Sequence, residues 1–383
     1  MLFALFRSMA FECASEFVGT FVMVFLGTAS IATATFTDAN SYTMAVGTVA
    51  AGWGFAAMLA TFLASPGSGA HLNPAVTLAI AMSPYTKNAF PKRKLPVYIL
   101  SQFLGATLAG FAVYLMFGSG IKRYENRLHL IRGTPQSSLS ASAFGCSYPH
   151  PQLVNEQGNN VTSWTKSDVS AAGAFVLEAM GTLILVLTHL VVRHPIQPAG
   201  DVAFTSSAAR VQESNKSAIV SRLPSTLLAP FYIGVALAAL TLVMTPFTQA
   251  CLNPARDLGP RIVAAIAGWG SVALPGERRE ACWVYLFGPL LGAFAGSMLH
   301  DVLIYPALQT RDQAAAAWMR HQQMEGEAIL EQLEKSQSVL SATTGGCFGS
   351  LTTQGLNHSD YRESSTLHNF RMSSSIHLHP FPA

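Results

Sequence analysis

From residue 11 to residue 305 the chain is dominated by long apolar runs separated by short polar stretches. About 20 apolar residues in helical conformation cross the hydrocarbon core of a bilayer. Six runs meet that length, at 11–34, 43–64, 95–117, 170–192, 224–245 and 281–305. Lipid offers no partners to backbone N–H and C=O groups, so each run is predicted as an α-helix. Two further segments, 66–84 and 246–270, are too apolar for surface loops yet are interrupted by Pro and Gly, which predicts re-entrant turns. The first run continues too long for a cleaved signal peptide and is read as the first span. Beyond 305 the hydropathy falls. A polar helix is expected over 314–340, and the rest of the tail, rich in Ser, Thr and His, reads as largely disordered.

The pattern repeats. Glu16-Phe-Val-Gly-Thr20 in the first run matches Glu178-Ala-Met-Gly-Thr182 in the fourth, and His71-Leu-Asn-Pro-Ala-Val76 matches Cys251-Leu-Asn-Pro-Ala-Arg256. Glu16 and Glu178 lie 162 positions apart and Asn73 and Asn253 180, so the second half carries about 18 extra residues, assigned to the polar stretch 193–223. Three spans separate equivalent points, so the second copy enters the membrane from the opposite face. The expected fold is an all-α membrane protein with six transmembrane helices and two re-entrant half-helices in an inverted 3+3 repeat. Repeat one is 11–117 and repeat two 170–305, with an outer loop at 118–169, an N-terminal segment at 1–10 and a tail at 306–383.

Composition narrows this picture: 50% of residues are hydrophobic and 11% charged, against about 25% charged in soluble domains. A formal net charge of +3 is too small and too dispersed to suggest nucleic acid. Five cysteines without paired spacing give neither a disulfide framework nor a zinc site, and no cofactor or metal is called for. Lys87, Lys92, Arg93 and Lys94 before the third span, and Arg193, Arg210, Lys216 and Arg222 after the fourth, put those loops and both termini on the cytoplasmic side. Lys122, Arg123, Arg127 and Arg132 oppose this, at the start of a long loop, where charge counts for less. On this topology only the sequon at Asn160 can be glycosylated, and those at Asn215 and Asn357 cannot.

The chemistry lies in the paired Asn-Pro-Ala segments. Pro74 and Pro254 suit the first position of a helix, with Asn73 and Asn253 as caps. A half-helix of ten residues is about 15 Å long, half the hydrocarbon thickness, so two of them meet at the midplane. There two positive dipole ends and two amides repel cations while offering donors to water or an alcohol. Gly69, Ala70 and His71, with Gln249, Ala250 and Cys251, lack helical partners and are expected to turn carbonyls into a wet lumen as a ladder of acceptors.

Two Asn-Pro-Ala motifs at equivalent repeat positions resemble the major intrinsic protein (aquaporin) family over about 11–305. Asp257 directly after Arg256, Arg261 four further on, Leu286, Arg132-Gly-Thr and Tyr148-Pro resemble its glycerol-conducting branch. The resemblance implies a passive channel for glycerol, other small uncharged solutes such as urea, and water, closed to ions and protons. It also implies a homotetramer in a lipid bilayer, such as a plasma membrane. It places Trp53, Thr241, Ala250 and Arg256 in the selectivity filter. Glycerol facilitators commonly carry Gly where Thr241 stands, an aromatic where Ala250 stands and Pro where Tyr285 stands. The Trp, small, small, Arg pattern also resembles plant nodulin-like channels, which admit glycerol, urea or metalloid acids. A water-selective channel, or one permeable to ammonia or metalloids, is the alternative.

Other residues have plainer readings. Glu16 and Glu178 suit structural acceptors for the re-entrant turns better than a proton relay, and Asp257 suits a brace behind a pore-facing Arg256. His71 either lines the pore or packs beneath the half-helix. Cys251 is either a thiol open to mercurials or simply a small residue. Gly19, Gly27, Gly105, Gly110, Gly181, Gly234 and Gly292 mark close helix packing. A secondary transporter also uses inverted repeats, but needs titratable or ion-coupling groups at the midplane, where this chain has paired Asn. An enzyme would need a clustered nucleophile, base or metal set, and none is visible.

Overall fold

A computed structural model describes residues 2–37, 42–85, 90–154, 164–194 and 209–344. Its main helices are α1 (Leu2–Phe36), α2 (Tyr42–Ser68), the short α3 (Pro74–Met82), α4 (Leu95–Arg127), α5 (Ala171–Val192), α6 (Ala209–Thr248), the short α7 (Pro254–Ala264), α8 (Glu280–Leu299) and α9 (Tyr305–Thr344). Among the described residues six helices are long and apolar enough to cross a membrane. They coincide with the six runs expected from the sequence.

Polar and apolar residues are distributed the reverse way from a soluble protein. Phe55 is 68% exposed and Leu115 64%, whereas Glu16 and Glu178 are 0% exposed. Large apolar side chains cover the outside, where hydrocarbon can receive them, and polar groups converge inside. The two repeats pack alike. In the first, α1 lies against α2 and α4; in the second, α5 lies against α6 and α8. Each half-helix crosses to the other repeat, α3 packing on α8 and α7 on α4, while α2 meets α6 at the join. That join is close enough that a Cβ on Gly54 would stand 2.7 Å from Ala238 Cβ and one on Gly234 2.6 Å from Gly54 O. Without side chains there, the two backbones touch.

Several boundaries differ from the sequence reading. Helix α4 runs to Arg127, so Lys122, Arg123 and Arg127 ride on its last turns rather than in a loop. There Arg123 Nη2 donates to Phe36 O at 3.4 Å. Helix α6 starts at Ala209 and absorbs much of the stretch assigned to a polar connection, because that stretch is rich in residues that tolerate helix. The tail helix is longer than expected, Tyr305–Thr344 rather than 314–340. Asn160 and Asn357 lie outside the described residues. Residues 1–321 form one compact unit. In the second, residues 322–344 are helical, with Ile329, Leu330 and Leu333 exposed.

Candidate functional site

The half-helices start where the sequence places them. Asn73 and Asn253 cap α3 and α7 in extended conformation, each Oδ1 accepting from backbone N–H groups of the first turn, with Pro74 and Pro254 at the first helical position. Each Asn also reaches into the opposite repeat: Asn73 Nδ2 donates to Leu252 O and Asn253 Nδ2 to Leu72 O, both at 2.9 Å. A carboxamide has two N–H donors, so each Asn keeps one for the lumen.

The segments leading to the caps are strained. Ala70, Leu72, Gln249, Ala250 and Leu252 all have φ between 48° and 60°, a region that non-glycine residues enter at a cost of about 1–3 kcal/mol each. Two buried carboxylates hold them there. Glu16 accepts from His71 N and Leu72 N at 2.8 Å each, and from Gln102 Nε2 at 2.7 Å. Glu178 accepts from Cys251 N at 3.0 Å and Leu252 N at 2.7 Å. Symmetric placement in the sequence thus corresponds to symmetric backbone anchoring.

Between the halves is a cavity of about 30 Å³, room for roughly two waters in file. Its walls include Trp53, His71, Asn73, Ala250, Cys251, Asn253 and Arg256, together with Met23, Leu185, His189, Ile233 and Leu237. The Arg256 guanidinium lies 4.6 Å from the centroid of the Trp53 ring, and its Nη1 donates to Cys146 Sγ at 2.7 Å. Asp257 is not its partner: Asp257 accepts from Arg261 Nε at 2.7 Å and from Cys146 N at 2.8 Å. Arg261 further binds Ala273 O at 2.7 Å and Cys146 O. Asp257 and Arg261 together clamp the outer loop onto α7, which leaves Arg256 facing the cavity.

Not every expected residue lines that cavity. Thr241 is buried one turn beyond Leu237, outside its walls; the next turn, at Thr245, lines a second small cavity with Gln249 and His150. Thr241 therefore stands between the inner and outer spaces. Two carbonyls of the expected ladder have a protein donor. Gly69 O and Ala70 O both accept from Arg193 Nη2 at 2.6 Å, because the long side chain at the end of α5 reaches back over the turn. The Gln249 side-chain carboxamide, as distinct from its backbone carbonyl, ties to the outer loop, accepting from Ser147 N at 2.7 Å and donating to Ser142 O at 3.3 Å. His71 meets both of its readings, lining the cavity while its ring packs on Phe90 at 4.7 Å and Tyr98 at 5.1 Å.

A family model described as Major intrinsic protein matches residues 6–300 of this chain. The chain belongs to the major intrinsic protein family. Within that family it is 32% identical over 294 residues to a glycerol uptake facilitator protein of Pseudomonas aeruginosa, covering 76% of this chain and 88% of the relative. It is 32% identical over 299 residues to a glycerol uptake facilitator protein of Haemophilus influenzae, covering 78% and 95%. Among solved structures, the X-ray structure of the aquaglyceroporin from Plasmodium falciparum superposes with a TM-score of 0.59 at 25% identity, covering 79% of this chain and 99% of that one.

Sequence reasoning missed three kinds of residue in this major intrinsic protein. The cavity walls at Ala57 and Thr61 continue the Trp53 stripe one and two helical turns on, and Ile233 and Leu237 continue that of Thr241. The period of 3.6 would have found them. Arg193 was read only as a loop charge, and nothing in its spacing betrays a partner 124 positions away. Cys146 and the outer loop are placed purely by long-range contacts. In that loop Arg132 donates to Glu125 at 2.9 Å and to Ala267 O at 2.8 Å. Burial pushes the His150 imidazole down to about 4, so it is neutral near pH 7.

Proposed function

We propose that the protein conducts glycerol, other small uncharged solutes and water passively and excludes ions and protons. One observation carries the reading: two capping asparagines from opposite repeats, each with one donor committed across the midplane, wall a narrow cavity beside Arg256 and Trp53. Two half-helix dipoles, each equivalent to about half a positive charge, and a guanidinium oppose cations there. A neutral hydroxyl meets donors from Asn73, Asn253 and Arg256, and the Trp53 Nε1–H, which has no partner among the described residues, adds another. The apolar walls formed by Leu185, Ile233 and Leu237 suit the carbon face of a polyol. The names of the facilitator relatives and of the aquaglyceroporin agree with this solute class.

In the same reading Trp53, Ala250 and Arg256, with Thr241 at the outer rim, form the selectivity filter. The acceptor ladder reduces to His71, Gln249, Ala250 and Cys251, since the Gly69 and Ala70 carbonyls accept from Arg193. The channel domain is 11–305, the assembly a homotetramer in the plasma membrane, and both termini lie in the cytoplasm. The crossed Asn bonds fasten the halves together, which favours a fixed pore over the rocking halves of a transporter. Stopped-flow measurements on proteoliposomes with water, glycerol and urea test the proposal. Flux that rises linearly with the gradient and varies weakly with temperature is expected for glycerol; saturation, or glycerol flux no higher than in empty vesicles, would refute it.

A further inference from the structure

The two mouths of the pore differ at equivalent positions of the repeat. Ile31 and Arg193 each stand 15 positions after an anchoring glutamate, Glu16 and Glu178, and Gly69 and Gln249 each stand 4 before a capping asparagine. At the mouth that carries Arg256, Ile31 and Gln249 wall a small cavity of about 20 Å³ with Thr245 and His150. At the opposite mouth the equivalent space holds the Arg193 side chain, whose Nη2 donates to Gly69 O and Ala70 O at 2.6 Å each. The central cavity is walled at this end by His71 and His189. Arg193 ends α5 one turn beyond His189, and Ala70 and Gly69 lie just before His71, so the guanidinium joins the two walls where the cavity stops.

We propose that Arg193 is a second cation filter of this pore, in series with Arg256 and at the opposite mouth; the proposal rests on the conducting role assigned to the cavity. A guanidinium keeps its charge across the physiological range, and here the charge is not spent on an ion pair. Both acceptors of Arg193 are backbone carbonyls, and its Nη1 has no partner among the described residues. Glu16 acts on it through space, but that carboxylate accepts from Ser68 Oγ, His71 N, Leu72 N and Gln102 Nε2. It therefore offsets the guanidinium field in part without binding it. The covered carbonyls are the rungs on which a cation leaving the cavity would find acceptors; with Arg193 on them, that end of the ladder presents positive charge. A neutral solute exchanges two acceptors for one donor there, so charge decides passage. A guanidinium within about 10 Å of the path, at an effective dielectric of about 20, is worth somewhat over tenfold against a cation.

Arg256→Val supplies a background in which the first filter is gone, and three replacements at 193 separate charge from support: Arg193→Met keeps the length, Arg193→Gln keeps a donor for the carbonyls, and Arg193→Lys keeps the charge. Each full-length variant is reconstituted in proteoliposomes. Proton leak is read with a pH-sensitive dye under an imposed potential and divided by the glycerol flux of the same vesicles. In the Arg256→Val background, Met and Gln at 193 should each raise this ratio at least about tenfold, and Lys should hold it near the background value. A residue that merely braced the turn would be replaced better by Gln than by Met, with no dependence on charge. An unchanged ratio in a neutral variant that passes glycerol, or a Lys variant as leaky as the Met one, overturns the filter. So does monodisperse protein of both neutral variants that passes no glycerol, since Arg193 is then a brace. A parent without glycerol flux overturns the conducting role and the filter with it, whereas a conducting parent whose variants keep one ratio overturns Arg193 alone.

Discussion

Trp53 is held against the cavity it lines from behind by a glycine. A Cβ built on Gly27 would stand 2.5 Å from Trp53 Cζ3, about 1 Å inside the ordinary carbon contact of about 3.5 Å. Something must move by that distance in Gly27→Ala. The backbones of α1 and α2 are locked by a second close approach, where a Cβ on Gly52 would lie 2.5 Å from Ser30 Oγ. The ring therefore yields toward the cavity it lines. Overpacking of this kind is worth about 1–3 kcal/mol. Placed on the barrier of a solute that must pass the ring, and at 1.36 kcal/mol per tenfold, it slows glycerol roughly 5- to 150-fold. Water, needing a thinner file, should lose much less. Stopped-flow light scattering on proteoliposomes measures both permeabilities, with incorporated protein quantified for each variant. Adding Trp53→Phe, which trims the ring, should restore glycerol flux. Equal loss of both permeabilities, or an unaltered ratio with intact protein, would refute the reasoning that this glycine sets the filter width.

Other expectations follow from the same geometry. Arg256→Val should leave neutral flux while admitting a proton or cation leak, read by a pH-sensitive dye under an imposed potential; a tight variant would mean that dipoles and asparagines suffice. Thr241→His with Ala250→Phe should cut glycerol far more than water in the same vesicles, and parallel losses would remove these two positions from the filter. Because burial holds His150 at about 4 against about 6.5 when unfolded, its contribution is complete above pH 6.5 and is lost as pH falls toward 4. This amounts to about 3 kcal/mol, so the melting temperature should fall over that window in the parent and fall less in His150→Gln. In a eukaryotic host sugar should appear on Asn160 alone; modification at Asn215 or Asn357 would invert the assigned topology.

How much of this was legible depended on whether the cause was local. The six spans follow from composition over about 20 residues, because lipid imposes one answer on any apolar run of that length. The half-helices follow from Asn-Pro, since the cap and the first-position proline are local chemistry. Glu16 and Glu178 could be assigned as anchors because a carboxylate at this depth needs donors, and the repeat supplied the same answer twice. Roles that depend on long side chains reaching across the fold were not legible. Arg193 covering the Gly69 and Ala70 carbonyls, and Cys146 meeting Arg256, depend on how far a flexible chain extends in three dimensions. Helix ends at Arg127 and Ala209 were missed for another reason: outside the lipid, polar residues extend a helix without leaving a hydropathy signal.

The crossed hydrogen bonds of Asn73 and Asn253 also bear on how the molecule is made. During synthesis α3 is complete long before α7 exists, because the two caps are 180 positions apart. Until then the Asn73 carboxamide has no Leu252 carbonyl to receive it, and Leu72 O has no donor from Asn253. A ribosome adding about 5–20 residues per second leaves the first half unfinished for roughly ten to forty seconds. Its most polar surface is meanwhile turned toward lipid or toward whatever protein escorts it. Maturation is therefore a single late event: the first repeat cannot reach its final state and wait, and a chain truncated before Leu252 should be cleared as an orphan rather than persist as half a pore.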